Sequence, residues 1–302
     1  MQEFNYFQKH LGTDCGVTVI TDDVAAASAA ATRAFILLTD YEERFSRFKE
    51  TSELSILNAT KKAVVSKTFL TVLTRSLELH TVTEGAFNPL VQVKRLGYQS
   101  SFIRDDISEK TTESTDYDTD VAKIVIDEKV GTVQLAPGQE LDFGGFLKGY
   151  LAELIAKKIL ETTPSCQGVI VNLGGDLATY GTDANGALFV FTIDNPITQT
   201  PISVPLKDTV LATSGTYART WQTNEGARHH IVDSSSRENP STTLISASIV
   251  GGDGALSEAL TKVFLTRDVE KAKALAARHH CRFLLITSTG DIIETLTNEN
   301  VS

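Results

Sequence analysis

Two paired-glycine segments constrain this chain more than any other feature: Leu141-Asp142-Phe143-Gly144-Gly145-Phe146-Leu147-Lys148-Gly149 and Val171-Asn172-Leu173-Gly174-Gly175-Asp176. Each reads as a short apolar strand ending in a Gly-Gly turn. The first runs into an amphipathic helix with Leu147, Leu151, Leu154 and Ile155 on one face. A backbone without Cβ lets a ligand come close. Lys148 after the first turn and Asp176 after the second set a cation and a carboxylate beside bare N–H groups, which suits a phosphate-bearing ligand. A Gly-Gly pair also forms a tight turn with no ligand at all; two of them with charged flanks favour the ligand.

The 302 residues, 41% of them hydrophobic, can bury a substantial core as one large domain or two joined lobes. A strand over 17–20 leads to an N-cap at Thr21-Asp22-Asp23 and a long Ala-rich helix with Ala31, Ala34, Phe35, Leu38 and Phe45 at helical spacing. A second helix is predicted over 66–83 and a hairpin over 123–135. Further strands are predicted over 169–172, 188–193, 210–213, 229–232, 244–250 and 283–287. Helices fall between only some of these, so strict βαβ alternation fails and an α+β fold is expected. The polar, acidic stretch 111–120 reads as an exposed loop dividing two lobes.

Lys+Arg 28 against Asp+Glu 38 gives a net charge of −10, which argues against nucleic acid or an anionic membrane as the partner. Any anionic ligand must then be held by local donors or a metal. No window approaches a membrane span, and the start lacks a basic and then apolar leader, so a cytoplasmic protein is expected. Cys15, Cys166 and Cys281 are odd in number and lack metal-type spacing, as isolated thiols in a reducing compartment would be. His279-His280-Cys281 follows a helix-like run and reads as a solvated helix end.

Four further groups can carry chemistry. Ser46-Arg47-Phe48 with Ser52-Glu53-Leu54-Ser55-Ile56-Leu57-Asn58 mixes hydroxyl, carboxylate and amide groups with apolar residues, as the wall of a heteroaromatic pocket does; Ser52-Glu53 serves equally as a helix cap. Ala212-Thr213-Ser214-Gly215-Thr216-Tyr217 offers three hydroxyls around a glycine. In Arg228-His229-His230-Ile231-Val232-Asp233, strand alternation sets His230 and Val232 on one face and His229, Ile231 and Asp233 on the other. Gly251-Gly252-Asp253-Gly254 enters a helix bearing Glu258, and Asp253 and Glu258 can bind Mg²⁺ through oxygen or simply favour a helix start.

In order and spacing these blocks, with Gly85-Ala86-Phe87-Asn88-Pro89 among them, resemble the ApbE family of FAD:protein FMN transferases over nearly the whole chain. The resemblance implies a two-lobed α+β fold with mixed, largely antiparallel sheets and flanking helices. It implies a Mg²⁺-assisted transfer of the FMN half of FAD to a threonine of an acceptor flavoprotein, with release of AMP. Hydroxyls and bare backbone converging from separate segments lead to the expectation that FAD lies against Ser46, Glu53, Asn58, Phe87, Lys148, Gly174, Gly175, Asp176, Thr213, Ser214 and Gly215, with proton transfer at His230, alone or helped by Asp233. Departures cluster near the chemistry. Where the family has an Asp and a Thr that ligate the metal, this chain has Glu258 and Lys262; Asn88, Glu153, Thr216 and Ser234 also differ from the usual residues. Either the Lys262 ammonium replaces the metal charge, or Lys262 turns outward and Thr261 and Asp253 join Glu258 in a weakened Mg²⁺ site. A flavin-binding homologue without transfer chemistry and a metal-dependent FAD pyrophosphatase are the alternative functions.

Overall fold

The computed structural model describes residues 1–98 and 112–296. In chain order the elements are β1 (Gln2–His10), β2 (Thr13–Thr21), α1 (Val24–Phe45), α2 (Glu53–Thr60), β3 (Lys62–Val64), α3 (Lys67–Val82), β4 (Val125–Asp127), β5 (Thr132–Gln134), α4 (Leu147–Thr162), β6 (Gly168–Leu173), β7 (Asp176–Gly181), β8 (Phe189–Asp194), β9 (Pro201–Leu206), β10 (Thr209–Gly215), β11 (Thr220–Thr223), β12 (Gly226–His229), β13 (Leu244–Val250), α5 (Gly254–Thr266), α6 (Val269–Arg278), β14 (Arg282–Thr287) and β15 (Ile292–Glu294). Eight strands form one antiparallel sheet in the order β1-β2-β6-β7-β10-β13-β14-β15. The fold is the expected α+β class.

Period-2 alternation divides the sheet's apolar residues between two cores. Val210, Ile249 and Leu285 face the helices, where Ala27, Leu38, Leu151, Ile155, Leu260 and Phe264 are buried. Leu211, Val250, Leu284 and Ile286 face the other way and are covered by Ile193, Val204 and Leu206 of the β8–β9 hairpin. The helices start where their caps permit: the side chains of Asp23, Ser52, Ser66 and Asp253 each accept a backbone N–H of the first turn. An aromatic knot of Phe45, Phe69, Phe143 and Phe146 locks the end of α1 to α3 and to the loop before α4, with ring centroids 5.4–6.0 Å apart. Each such pair adds about 0.5–1.5 kcal/mol beyond simple burial.

Two expected strands are not strands. The segment 141–143, with Leu141 and Phe143 buried, pairs with no strand among the described residues, because Asn58 captures the Leu141 backbone through both its amide nitrogen (2.9 Å) and its oxygen (2.8 Å), and Asp142 N–H donates to the Pro89 carbonyl. The strand expected over 229–232 ends at His229, since the Asn239 amide donates to the carbonyls of His229 and Ile231 (both 2.7 Å) and occupies the place of a neighbouring strand. Strands β1, β7, β9, β11 and β15 carry no apolar run strong enough to be expected. Residue 111 lies outside the described residues. Residues 112–120 are irregular and exposed or half-buried apart from Tyr117, which is buried between the Arg95 and Arg237 guanidiniums and accepts the Gln92 N–H.

Candidate functional site

A cleft of about 460 Å³ opens where the end of α1, the turn before Pro89, the start of α4, the segment after β12 and α5 converge. Its apolar walls come from Phe45, Phe48, Phe87, Tyr98 and Ile231, and its charged lining from Arg47, Asp142, Lys148, Arg219 and Lys262. Arg47 pairs with Asp142, and its guanidinium lies 4.8 Å from the ring centres of both Phe48 and Tyr98. Tyr98 in turn packs on Trp221 at 5.0 Å. A planar heteroaromatic ligand matches such walls.

The position of the charged end follows from a helix crossing. Gly149 on α4 and Gly254 on α5 face each other so closely that a Cβ on either would fall 2.1 or 2.0 Å from the other's carbonyl oxygen. The backbones therefore touch, and Glu258 reaches across to accept the Gly149 N–H at 2.9 Å through Oε2. Its Oε1 lies 3.2 Å from Lys148 Nζ and 3.2 Å from Lys262 Nζ. Lys148 also pairs with Asp176, whose Oδ1 accepts the Thr213 N–H at 3.3 Å. Glu258 and Asp176 are each only 1% exposed, so the pairing is obligatory. Burial opposes the ionisation of Glu258, but the Lys148 and Lys262 ammoniums outweigh it and hold the carboxyl well below its usual range. Burial lowers the pKa of both lysines, and Glu258 works against that in each.

His230 lines the same cleft. Its Nδ1 is buried and has no hydrogen-bond partner among the described residues. Burial, followed by the charges of Arg219 and Lys262, drives its pKa well below the ordinary histidine value, so the ring is neutral. A neutral imidazole with an unpartnered nitrogen can accept a proton.

Of the residues singled out in the sequence, Ser46, Phe87, Lys148, His230 and Lys262 line this cleft, and Asp176 and Glu258 lie beneath the lysines. The other residues expected to hold FAD, the metal or the proton have different surroundings. Glu53 pairs with Arg44 at 2.6 Å and accepts the Ser66 N–H at 2.7 Å, tying α1 to the start of α3. Asn58 braces Leu141. Gly174 and Gly175, with φ of +71° and +101°, close the β6–β7 hairpin, where Thr13 crowds the first and nothing crowds the second. The Thr213 hydroxyl pairs with Ser248 at 2.9 Å, Ser214 pairs with Thr261 at 2.7 Å, and Gly215 lies under the Tyr217 ring. Asp233 pairs with Arg267 at 3.2 Å and accepts the Ser235 N–H at 2.6 Å. Asp253 caps α5 and pairs with Arg75. Arg219 and Tyr98 join the cleft with no motif to mark them, because chain topology alone brings them there.

The donors around Glu258 bear on the Mg²⁺ that the resemblance implies. Both its oxygens already accept hydrogen bonds, Thr261 donates to the Glu258 carbonyl at 2.6 Å, and Asp253 faces Arg75. A divalent cation about 4 Å from an ammonium would be opposed by about 8 kcal/mol at an effective dielectric of about 20. The side chains present at Glu258 do not fit a divalent ion.

The ApbE family model matches residues 11–285. An FAD:protein FMN transferase of Klebsiella pneumoniae is 26% identical over 274 residues, covering 88% of this chain and 84% of its own. One from Treponema pallidum is 29% identical, covering 91% and 82%. Among solved structures, the ApbE protein of Thermotoga maritima superposes with a TM-score of 0.86 at 22% identity, covering 98% of each chain. The flavin transferase ApbE of Vibrio cholerae gives 0.80 at 20% identity, covering 98% and 97%. With the family model spanning nearly all of the sequence and the fold matching end to end, the chain belongs to the ApbE family.

Proposed function

We propose that this chain binds FAD in the cleft and transfers its FMN half to a threonine hydroxyl of an acceptor flavoprotein. The observation that carries this reading is the neutral His230, with its unpartnered Nδ1, sharing a cleft with the Lys148 and Lys262 ammoniums. In the proposed reaction the threonine oxygen attacks the phosphorus on the riboflavin side, the bond from that phosphorus to the bridging oxygen breaks, and AMP leaves with the bridging oxygen. The threonine proton passes to His230. Lys148, Lys262 and Arg219 offset the charge that gathers on the leaving phosphate. The bound pyrophosphate answers the three cations that depress the His230 pKa, so substrate itself strengthens the base. The aromatic walls orient the flavin and exclude water from the attack.

The test is incubation of the purified protein with FAD, with and without an acceptor flavoprotein, following AMP and covalent flavin fluorescence on the acceptor. Transfer gives AMP only with the acceptor. AMP with free FMN in its absence identifies a pyrophosphatase, and bound FAD with no AMP identifies a binding protein; either result rejects the proposed activity.

A further inference from the structure

Glu258 is the one acidic side chain on α5 that reaches the cleft floor, and its environment is made of donors. Two ammoniums share Oε1, each at 3.2 Å, and a backbone N–H occupies Oε2. Lys262 sits one helical turn beyond Glu258, on the same face, and lines the cleft. Thr261, the neighbouring oxygen donor, is turned away into a bond with Ser214 inside the core. The Lys148 and Lys262 ammoniums stand over the buried carboxylates Asp176 and Glu258 and themselves line the cleft, so their donors face the space a ligand would fill.

We propose that the Lys262 ammonium, positioned by Glu258 and seconded by Lys148, is this protein's built-in counter-charge for the ligand's pyrophosphate, so that a dinucleotide binds here without a divalent cation. The proposal rests on the flavin-nucleotide reading above. An ammonium offers directed donors and a single charge at a site where a metal ion would need oxygen ligands that are already engaged. Glu258 then serves as a positioning residue: it holds the two lysines side by side at the pyrophosphate's place and offsets their mutual repulsion.

The experiment is calorimetric titration of FAD into flavin-free protein, in buffer containing Mg²⁺ and again in EDTA. The expected result is an affinity unchanged to within about twofold between the two buffers. Lys262→Thr should lose about tenfold or more in EDTA and recover part of it when Mg²⁺ is added, because the change removes the nearest opposing ammonium and supplies a hydroxyl oxygen in its place one turn from Glu258. A large loss of wild-type affinity on chelation would overturn the proposal and leave the flavin reading intact. So would a Lys262→Thr protein that binds FAD as tightly as wild type in EDTA. Absence of FAD binding in both buffers would instead reject the flavin reading, and this proposal with it. The wild-type comparison needs no variant, so the proposal stays testable even where Lys262→Thr unfolds.

Discussion

His230 can act as a base because the fold denies it a charge: burial and the nearby cations keep its imidazole neutral, and Nδ1 has no partner among the described residues. A positioned general base contributes about 10²- to 10⁴-fold, so His230→Ala should lose transfer rate by that order while retaining FAD. The His229 ring instead accepts the Ile231 N–H at 3.3 Å through Nδ1, beside the Asn239 amide, and His229→Ala should change the rate little. Single-turnover AMP release with both variants checks this, and a dead His229→Ala with an active His230→Ala would reverse the assignment. Lys148 needs a more careful probe than simple removal. Lys148→Ala strands Asp176, 1% exposed, without its cation, and breaking such a buried pair costs about 3–5 kcal/mol. Lys148→Ala combined with Asp176→Asn removes cation and carboxylate together. Its FAD affinity should fall about tenfold or more with a smaller loss in melting temperature than the single variant shows.

At the scale of elements, the site depends on how closely α4 and α5 cross. Gly149→Ala would drive a Cβ into the Gly254 carbonyl, forcing the helices apart and drawing Glu258 away from the Gly149 N–H and from Lys148. Overpacking of this kind costs about 1–3 kcal/mol or more, and FAD affinity should fall with stability. Gly175→Ala makes the contrast: its φ of +101° strains a side chain, but nothing lies within 4 Å, so a loss of about 1–2 kcal/mol with FAD affinity unchanged is expected. Thermal melts and FAD titrations of the two variants side by side separate the roles. The same pair shows what the sequence could and could not tell. Paired glycines announced close approach, and at Gly144 and Gly145 they do line the cleft. The approach at Gly149 is between two helices more than a hundred residues apart, which no local pattern encodes. Helices α1, α3 and α5 were legible from apolar periodicity and capping side chains, whereas the strands expected at 141–143 and 229–232 failed because Asn58 and Asn239 bond the backbone that a ladder would have used.

Across the whole molecule, the order of the eight-stranded sheet was not readable, since β2 pairs with β6 and β10 with β13 across long intervening segments, and neither register leaves a mark in the local sequence. The charge balance was readable, and with pH it works against the buried histidines. Between pH 7 and the sequence pI near 5.1 the net charge of −10 falls toward zero, and the loss of self-repulsion alone would stabilise the fold. His230 acts in the opposite direction. Its folded pKa lies below the unfolded value of 6.5, so above pH 6.5 neither state binds its proton and nothing is lost. Below pH 6.5 the unfolded chain takes up a proton that the folded chain refuses, and stability falls by about 1.4 kcal/mol per pH unit until the folded pKa is reached. His229, also depressed, first by burial and then by Arg228, adds in the same direction. Glu258 follows in a separate window: its stabilising charge is fully present above pH 4.5 and is lost as pH falls through its folded pKa of about 2. Urea unfolding of the flavin-free protein should therefore show a midpoint that declines from pH 6.5 to 5, although the approach to the pI favours the opposite. In His230→Asn the decline should shrink to the part that His229 contributes. A His230→Asn variant with the same decline as wild type would mean that His230 is not held neutral by the fold, and that the cations lining the cleft do not act on it.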